Sequence, residues 1–126
     1  MIFFDTETTG LLKPEANDLN LQPYITELYA VKMKWEDDSF KFISEFDSLF
    51  KVPVPLEPFI TKITGITDEM LSTQPTFAEK ADELAEFWLG ERAMVGHNLS
   101  FDQGMLWVEL ARLEKEVKFP WCMDHQ

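Results

Sequence analysis

The chain has 126 residues and 45% apolar content, the make-up of one ordinary globular domain with little room for a second. Eleven Lys and Arg against 23 Asp and Glu leave a net charge of −12. That excludes a broad basic grip on nucleic acid, but not phosphate contact through metal ions held by carboxylates. No apolar run exceeds four residues, so neither a spanning helix (about 20 residues) nor a signal-peptide core is read here. The single cysteine, Cys122, forms no internal disulfide, which fits a reducing compartment, and the expected location is cytoplasmic.

Residues 2–5 (Ile-Phe-Phe-Asp) read as a short buried strand. A polar loop with Pro14 and Pro23 fills 11–24. Residues 25–35 alternate, which sets Ile25, Val31, Met33 and Trp35 on one face of a half-buried strand. Phe40, Phe42 and Phe46 repeat the alternation, and the link over 36–39 is short enough for an antiparallel hairpin. Pro53, Pro55 and Pro58 stop any strand over 51–58. Residues 76–89 predict a helix. Thr76 and Glu79 fit a capping box, Phe77, Ala81, Leu84, Ala85 and Trp88 form its stripe, and Gly90 ends it. Residues 92–96 read as a buried strand. Ser100 and Gln103 fit a second capping box, opening a helix to about Val117 with Phe101, Leu106, Leu110 and Leu113 on its stripe. Pro120 precedes a fifth strand over 121–124. The order β-β-β-α-β-α-β predicts an α/β fold, a mixed sheet with helices against it.

Three segments carry chemistry. In Phe4-Asp5-Thr6-Glu7-Thr8-Thr9-Gly10, Asp5 and Glu7 are two apart on a strand and so share a face. Two carboxylates held together repel unless a proton or cation sits between them, and a hard divalent cation is the natural partner. The same pair also occurs at solvated strand ends. In Gly96-His97-Asn98-Leu99-Ser100-Phe101-Asp102, a strand breaks into a helix with Asp102 in its first turn. The helix dipole alone favours an Asp there. If this strand lies parallel to the first, Asp102 comes within reach of Asp5 and Glu7. The third segment, Ile63-Thr64-Gly65-Ile66-Thr67, is by composition only a turn between apolar anchors.

At this order and spacing the three segments resemble the DEDD (DnaQ-like) 3′→5′ exonucleases, from Met1 to about Asp124. The first and third resemble that family's first and second motifs, and the Thr-Glu-Thr-Thr-Gly form is similar to proofreading-type DNA exonucleases. The resemblance implies a ribonuclease-H-like, mixed five-stranded sheet flanked by helices. It implies a metal-dependent 3′→5′ exonuclease hydrolysing single-stranded DNA by a two-metal mechanism. Asp5 would bridge both ions, Glu7 would bind the nucleophile-side ion, and Asp102 the other. Two Mg²⁺ ions are implied, with Mn²⁺ as a substitute. Thr8, Thr9 and Gly10 would line the terminal nucleotide, Phe101 and Thr64 its base or sugar, with His97 and Asn98 beside them. The implied partner is a single-stranded 3′ end, DNA before RNA.

The family's third motif brings a fourth Asp, preceded by a His or Tyr general base, on a helix beyond the fifth strand. No such motif occurs up to Gln126. Asp124 and His125 stand in the wrong order, and the role is not carried to them. Residues 1–126 are therefore expected to form a single exonuclease-like domain, C-terminally incomplete and lacking the usual last helix. A homodimer or a partner subunit is expected to cover that side. The alternatives are a non-catalytic, nuclease-like module that binds nucleic acid or a protein, and an RNA exonuclease of the same family.

Overall fold

Strand β1 (Ile2–Thr8) turns Ile2, Phe4, Thr6 and Thr8 into the core and Phe3, Asp5 and Glu7 the other way, so the whole Asp-Thr-Glu run lies within the strand. The computed structural model describes residues 1–13 and 18–113. A 3-10 turn, Leu19–Leu21, precedes β2 (Ile25–Glu36). A two-residue turn joins β2 to β3 (Ser39–Leu49). Asp37 and Asp38 both adopt positive φ, 53° and 62°, the turn whose twist matches the flanking strands.

Two helices stand where only a turn was expected. Helix α1 (Pro58–Thr64) starts on Pro58, which lacks the N–H that a first helical residue leaves unused anyway. It ends at Gly65, whose φ of 77° suits a residue without Cβ. Helix α2 (Asp68–Ser72) is capped by the Thr67 hydroxyl, which accepts from the Met70 amide at 3.1 Å. The Ile-Thr-Gly-Ile-Thr segment is thus a helix stop followed by a helix start.

Helix α3 (Phe77–Trp88) carries the expected capping box and buries Phe77, Ala81, Leu84 and Trp88. Trp88 is fully buried and meets Phe4 edge-on at 5.0 Å, so α3 anchors β1 one residue before Asp5. Strand β4 (Met94–Val95) is only two residues long. Helix α4 (Leu99–Ala111) begins one residue before Ser100, with Asn98 as its cap. The second capping box therefore does not form, because Ser100 already lies inside the helix. The helix also ends earlier than expected, at Ala111. Its buried face is Asp102, Met105, Leu106 and Glu109, with Phe101, Leu110 and Leu113 packed at the margin.

The sheet order is β3-β2-β1-β4, with β4 parallel to β1 and the other pairs antiparallel. Four strands are present among the described residues rather than five. The fifth expected strand, over 121–124, and the stretch 114–117 lie outside those residues. Helices α3 and α4 pack on one sheet face, and among the described residues no helix packs on the other.

The buried face of the hairpin differs from the expected one. Thr26, Leu28 and Ala30 enter the core, while Tyr29 and Trp35 are exposed and Val31 and Met33 half-buried. Two irregularities in the ladders explain this. One, between Glu7 and Thr8, returns Ile25 to the core side. The other, between Lys32 and Met33, skips Ile43, so Phe46 is buried while Phe40 and Phe42 emerge on the open face. An extra residue flips every side chain beyond it, and strict alternation in a sequence does not reveal where it is inserted.

Candidate active site

The parallel β1–β4 pair brings the first turn of α4 to the end of β1. The Asp102 amide donates to the Asn98 carbonyl at 3.1 Å, and Asp102 is 1% exposed. One carboxylate oxygen accepts from the Thr6 hydroxyl at 2.6 Å. The other, Oδ2, is buried without a hydrogen-bond partner. Gly96 makes this approach possible: a Cβ there would stand 3.0 Å from the Phe4 carbonyl oxygen and 3.6 Å from Asp102 Oδ2. Asp5 and Glu7 occupy the opposite side of β1, exposed and half-buried respectively.

The carboxylates sense one another. Burial first, then the charges of Asp5 and Asp102, push the Glu7 carboxyl above the ordinary range. Burial also raises Asp102; the Thr6 hydrogen bond partly offsets this, and Asp5 raises it further. Glu27 was not singled out in the sequence, yet it stands directly opposite Glu7 in the β1–β2 ladder. Burial, then Asp47, Glu7 and Asp5, raise its pKa. Only the strand register, not the local pattern, reveals that carboxylate.

The site residues fall in four places. Glu7, Thr8, Gly10, Thr64 and Phe101 line one cleft of about 600 Å³, joined by Leu11, Phe59 and Ile63, which the sequence reading did not name. Asp5 and His97 line an adjoining hollow of about 240 Å³ on the open face. Thr9 is absorbed in structure: its amide donates to the Tyr24 carbonyl at 2.9 Å and its hydroxyl accepts from the Tyr24 amide at 3.0 Å. Asn98 serves as the α4 cap residue without a side-chain capping bond.

For a divalent cation, the donor chemistry fits: hard carboxylate oxygens that repel one another, and one buried oxygen that lacks a partner. Among the described residues, however, no three His, Cys, Asp or Glu side chains gather closely enough to hold an ion. The fit therefore extends to the identity and neighbourhood of the ligands, not to an assembled coordination shell.

The raised carboxyl groups have a measurable consequence. Each binds its proton more tightly in the folded than in the unfolded chain, so each favours folding at low pH. That contribution is lost as pH rises from the unfolded value through the folded one. Without divalent ions, these groups should make Tm rise as pH falls from neutrality toward the ordinary carboxylate range. Mn²⁺ should raise Tm more at the upper pH, because protons compete for the same oxygens. Asp5→Asn should lessen the pH dependence without abolishing it, since Asp5 adds to all three shifts but burial is the larger cause of each. A Tm that is flat with pH and unmoved by Mn²⁺ would contradict the assignment.

A mixed sheet whose first and fourth strands run parallel, with acidic residues where both end and a cleft beside them, is the architecture of ribonuclease-H-like nucleases. A family profile for exonucleases, RNase_T, matches residues 2–124. The chain belongs to this exonuclease family.

Its relatives include the PolC-type DNA polymerase III of Bacillus cereus, 37% identical over 116 residues, and that of Bacillus subtilis, 36% identical over 112. These matches cover 90% and 89% of the chain but 7% of either relative, so the chain spans a small part of their length. Exonuclease I in complex with the inhibitor BCBP superposes with a TM-score of 0.72 at 21% identity, covering 98% of this chain and 26% of that one. Exonuclease X in complex with 5′-overhanging duplex DNA gives a TM-score of 0.58 at 24% identity, covering 94% of this chain and 55% of that one. Both carry the same fold. Among the described residues, no helix is long and apolar enough to cross a membrane.

Proposed function

We propose that this chain is a divalent-metal-dependent 3′→5′ exonuclease acting on single-stranded DNA. The observation that carries the proposal is the cleft in which Glu7 meets Thr8, Gly10, Thr64 and Phe101, next to the buried Asp102 with its unpartnered oxygen. In this reading Asp5, Glu7 and Asp102 would hold two Mg²⁺ ions, or Mn²⁺ in their place, which when bound would supply Lewis-acid activation of water and charge neutralisation at the leaving oxygen. With a net charge of −12, ions held by these carboxylates would offset the chain's repulsion of a phosphate backbone.

The chain's own residues hold the substrate. The turn at Thr8 and Gly10, closed by the Thr8 hydroxyl on the Gly10 carbonyl, would set its backbone beside the terminal sugar. Phe101, Leu11, Phe59 and Ile63 offer apolar surface to the base; the last three are well exposed. Such surface favours an unpaired end, whose base is free to leave its neighbours and stack on the protein. The PolC-type relatives are DNA polymerases by name, which supports DNA over RNA. The chain would act as one exonuclease-like domain over residues 1–126, in the cytoplasm. A second copy or a partner subunit would cover the open face, which exposes Tyr29, Trp35, Phe40 and Phe42.

One observation favours a second reading, a nuclease-like module that binds without cutting: no three carboxylates converge among the described residues. A single experiment separates the two. A 5′-labelled single-stranded DNA oligonucleotide in Mg²⁺ should give a ladder that shortens from its 3′ end, faster than matched RNA or blunt duplex DNA. Absence of product from folded protein, in Mg²⁺ and in Mn²⁺, would refute the exonuclease and leave the binding module. RNA cut as fast as DNA would refute the substrate assignment alone.

A further inference from the structure

Helix α4 carries a second buried carboxylate. Glu109 follows Asp102 by seven residues, two helical turns on the same face, or about 10 Å along the axis. It is 5% exposed. One of its oxygens accepts from the Ile25 amide at 2.9 Å, and the other from the Arg112 guanidinium at 3.2 Å.

Arg112 in turn grips the loop that leads into β2. One terminal nitrogen donates to the Pro23 carbonyl at 2.8 Å. The other donates to the carbonyls of Leu19 and Gln22 at 2.6 and 2.7 Å. The guanidinium lies 3.8 Å from the centre of the Tyr24 ring. The Tyr24 backbone exchanges hydrogen bonds with Thr9 in both directions, as given above. Thr9 stands between Thr8 and Gly10, whose hydroxyl and carbonyl close the turn at 2.6 Å. An unbroken chain of contacts therefore runs from Glu109 through Arg112 and Tyr24 to the turn that borders the cleft.

We propose that Arg112, seated on Glu109, is a positioning residue that fixes the Thr8, Thr9 and Gly10 turn against the terminal nucleotide. The inference rests on the exonuclease reading of that cleft. Its physical basis is the shared helix. The first turn of α4 places Asp102, and the last turn places the substrate-binding turn, so one rigid element sets the spacing between metal ligand and nucleotide. A planar, five-donor guanidinium suits the task because three carbonyls, a carboxylate and a ring face must be engaged at once. Burying a charge of this kind is costly unless it is paired, and Glu109 supplies the pair.

The test uses the 126-residue chain and its Arg112→Ala, Arg112→Lys and Tyr24→Leu variants. Steady-state digestion of a single-stranded DNA oligonucleotide is read beside binding of thymidine 5′-monophosphate in Mn²⁺, Mn²⁺ affinity alone and Tm. Arg112→Ala should raise KM and weaken the mononucleotide about tenfold, with kcat within about threefold and Mn²⁺ affinity within about twofold. Arg112→Lys should recover only part of the loss, because an ammonium lacks the fork. Tyr24→Leu keeps every backbone hydrogen bond and should show the same pattern at about threefold, which retains a test if Arg112→Ala does not fold. An unmoved KM in folded Arg112→Ala or in Tyr24→Leu overturns the proposal. So does a parallel fall of kcat and Mn²⁺ affinity, the mark of general loosening. Wild-type protein that neither cuts nor binds the mononucleotide refutes the exonuclease itself, and the positioning role falls with it. Wild-type cutting with unmoved KM in the variants refutes the positioning role alone.

Discussion

Replacement of Asp5 by alanine is expected to lower Mg²⁺-dependent digestion of single-stranded DNA by about three orders of magnitude with the fold intact. If Asp5 holds the ions as proposed, it would support charge stabilisation worth several kcal/mol in the transition state. About 4 kcal/mol corresponds to roughly a thousandfold in rate. Folding should not suffer. Asp5 is exposed on the open face, so its removal opens no cavity. It also relieves repulsion, since Asp5 raises the pKa of Glu7, Glu27 and Asp102 alike. Initial rates on the labelled oligonucleotide, with circular dichroism and Tm alongside, provide the check. A variant that keeps its rate within tenfold of wild type would remove Asp5 from the chemistry.

The site was more legible in the sequence than the sheet that carries it. Asp5, Glu7 and Asp102 sit in short motifs that pointed to a strand end and a first helical turn, and the family resemblance joined them; the strand itself runs on through Glu7 to Thr8. In the structure Asp102 meets the core side of β1 through Thr6, while Asp5 and Glu7 stand on its other side. Thr8, Gly10, Thr64 and Phe101 were legible through the family resemblance, and they line one cleft with Glu7. Thr64 could not have been placed by composition, because Ile-Thr-Gly-Ile-Thr shows its meaning only as the junction of α1 and α2. The faces of β2 and β3 were not legible. Each strand changes face at an irregularity created by hydrogen bonding to its neighbour, and the residues beside it carry no mark of that. Glu27, the carboxylate opposite Glu7, was missed for the same reason. Its position depends on the register between two strands, a property of the pair. The Glu109 and Arg112 contacts escaped for a related cause. Their partners are backbone carbonyls and amides of the 19–25 loop, which any residue supplies.

Asp102 allows the sharpest separation of function from structure, because neutralising it should move activity and stability in opposite directions. In Asp102→Asn, the amide oxygen keeps the bond from the Thr6 hydroxyl, and the buried, unpartnered Oδ2 gives way to a neutral NH₂ of equal size. The cost of burying a charge and the repulsion from Asp5 are then removed, leaving the smaller cost of a buried NH₂ without an acceptor. The metal-free variant should gain about 1 kcal/mol, or roughly 3–5 °C in Tm. Its digestion rate should fall by about two to three orders of magnitude, and Mn²⁺ should no longer raise its Tm. Asp102→Ala should lose both activity and stability, since it leaves the Thr6 hydroxyl without its acceptor and opens a small void. The competing account makes Asp102 an ordinary first-turn acid held by the helix dipole. On that account neutralisation would cost about 0.3–1 kcal/mol and leave activity alone. An Asp102→Asn protein that melts lower than wild type and still digests DNA would establish the ordinary account. One that melts higher and does not cut would mark Asp102 as a carboxylate held at the expense of the fold for an ion it must meet.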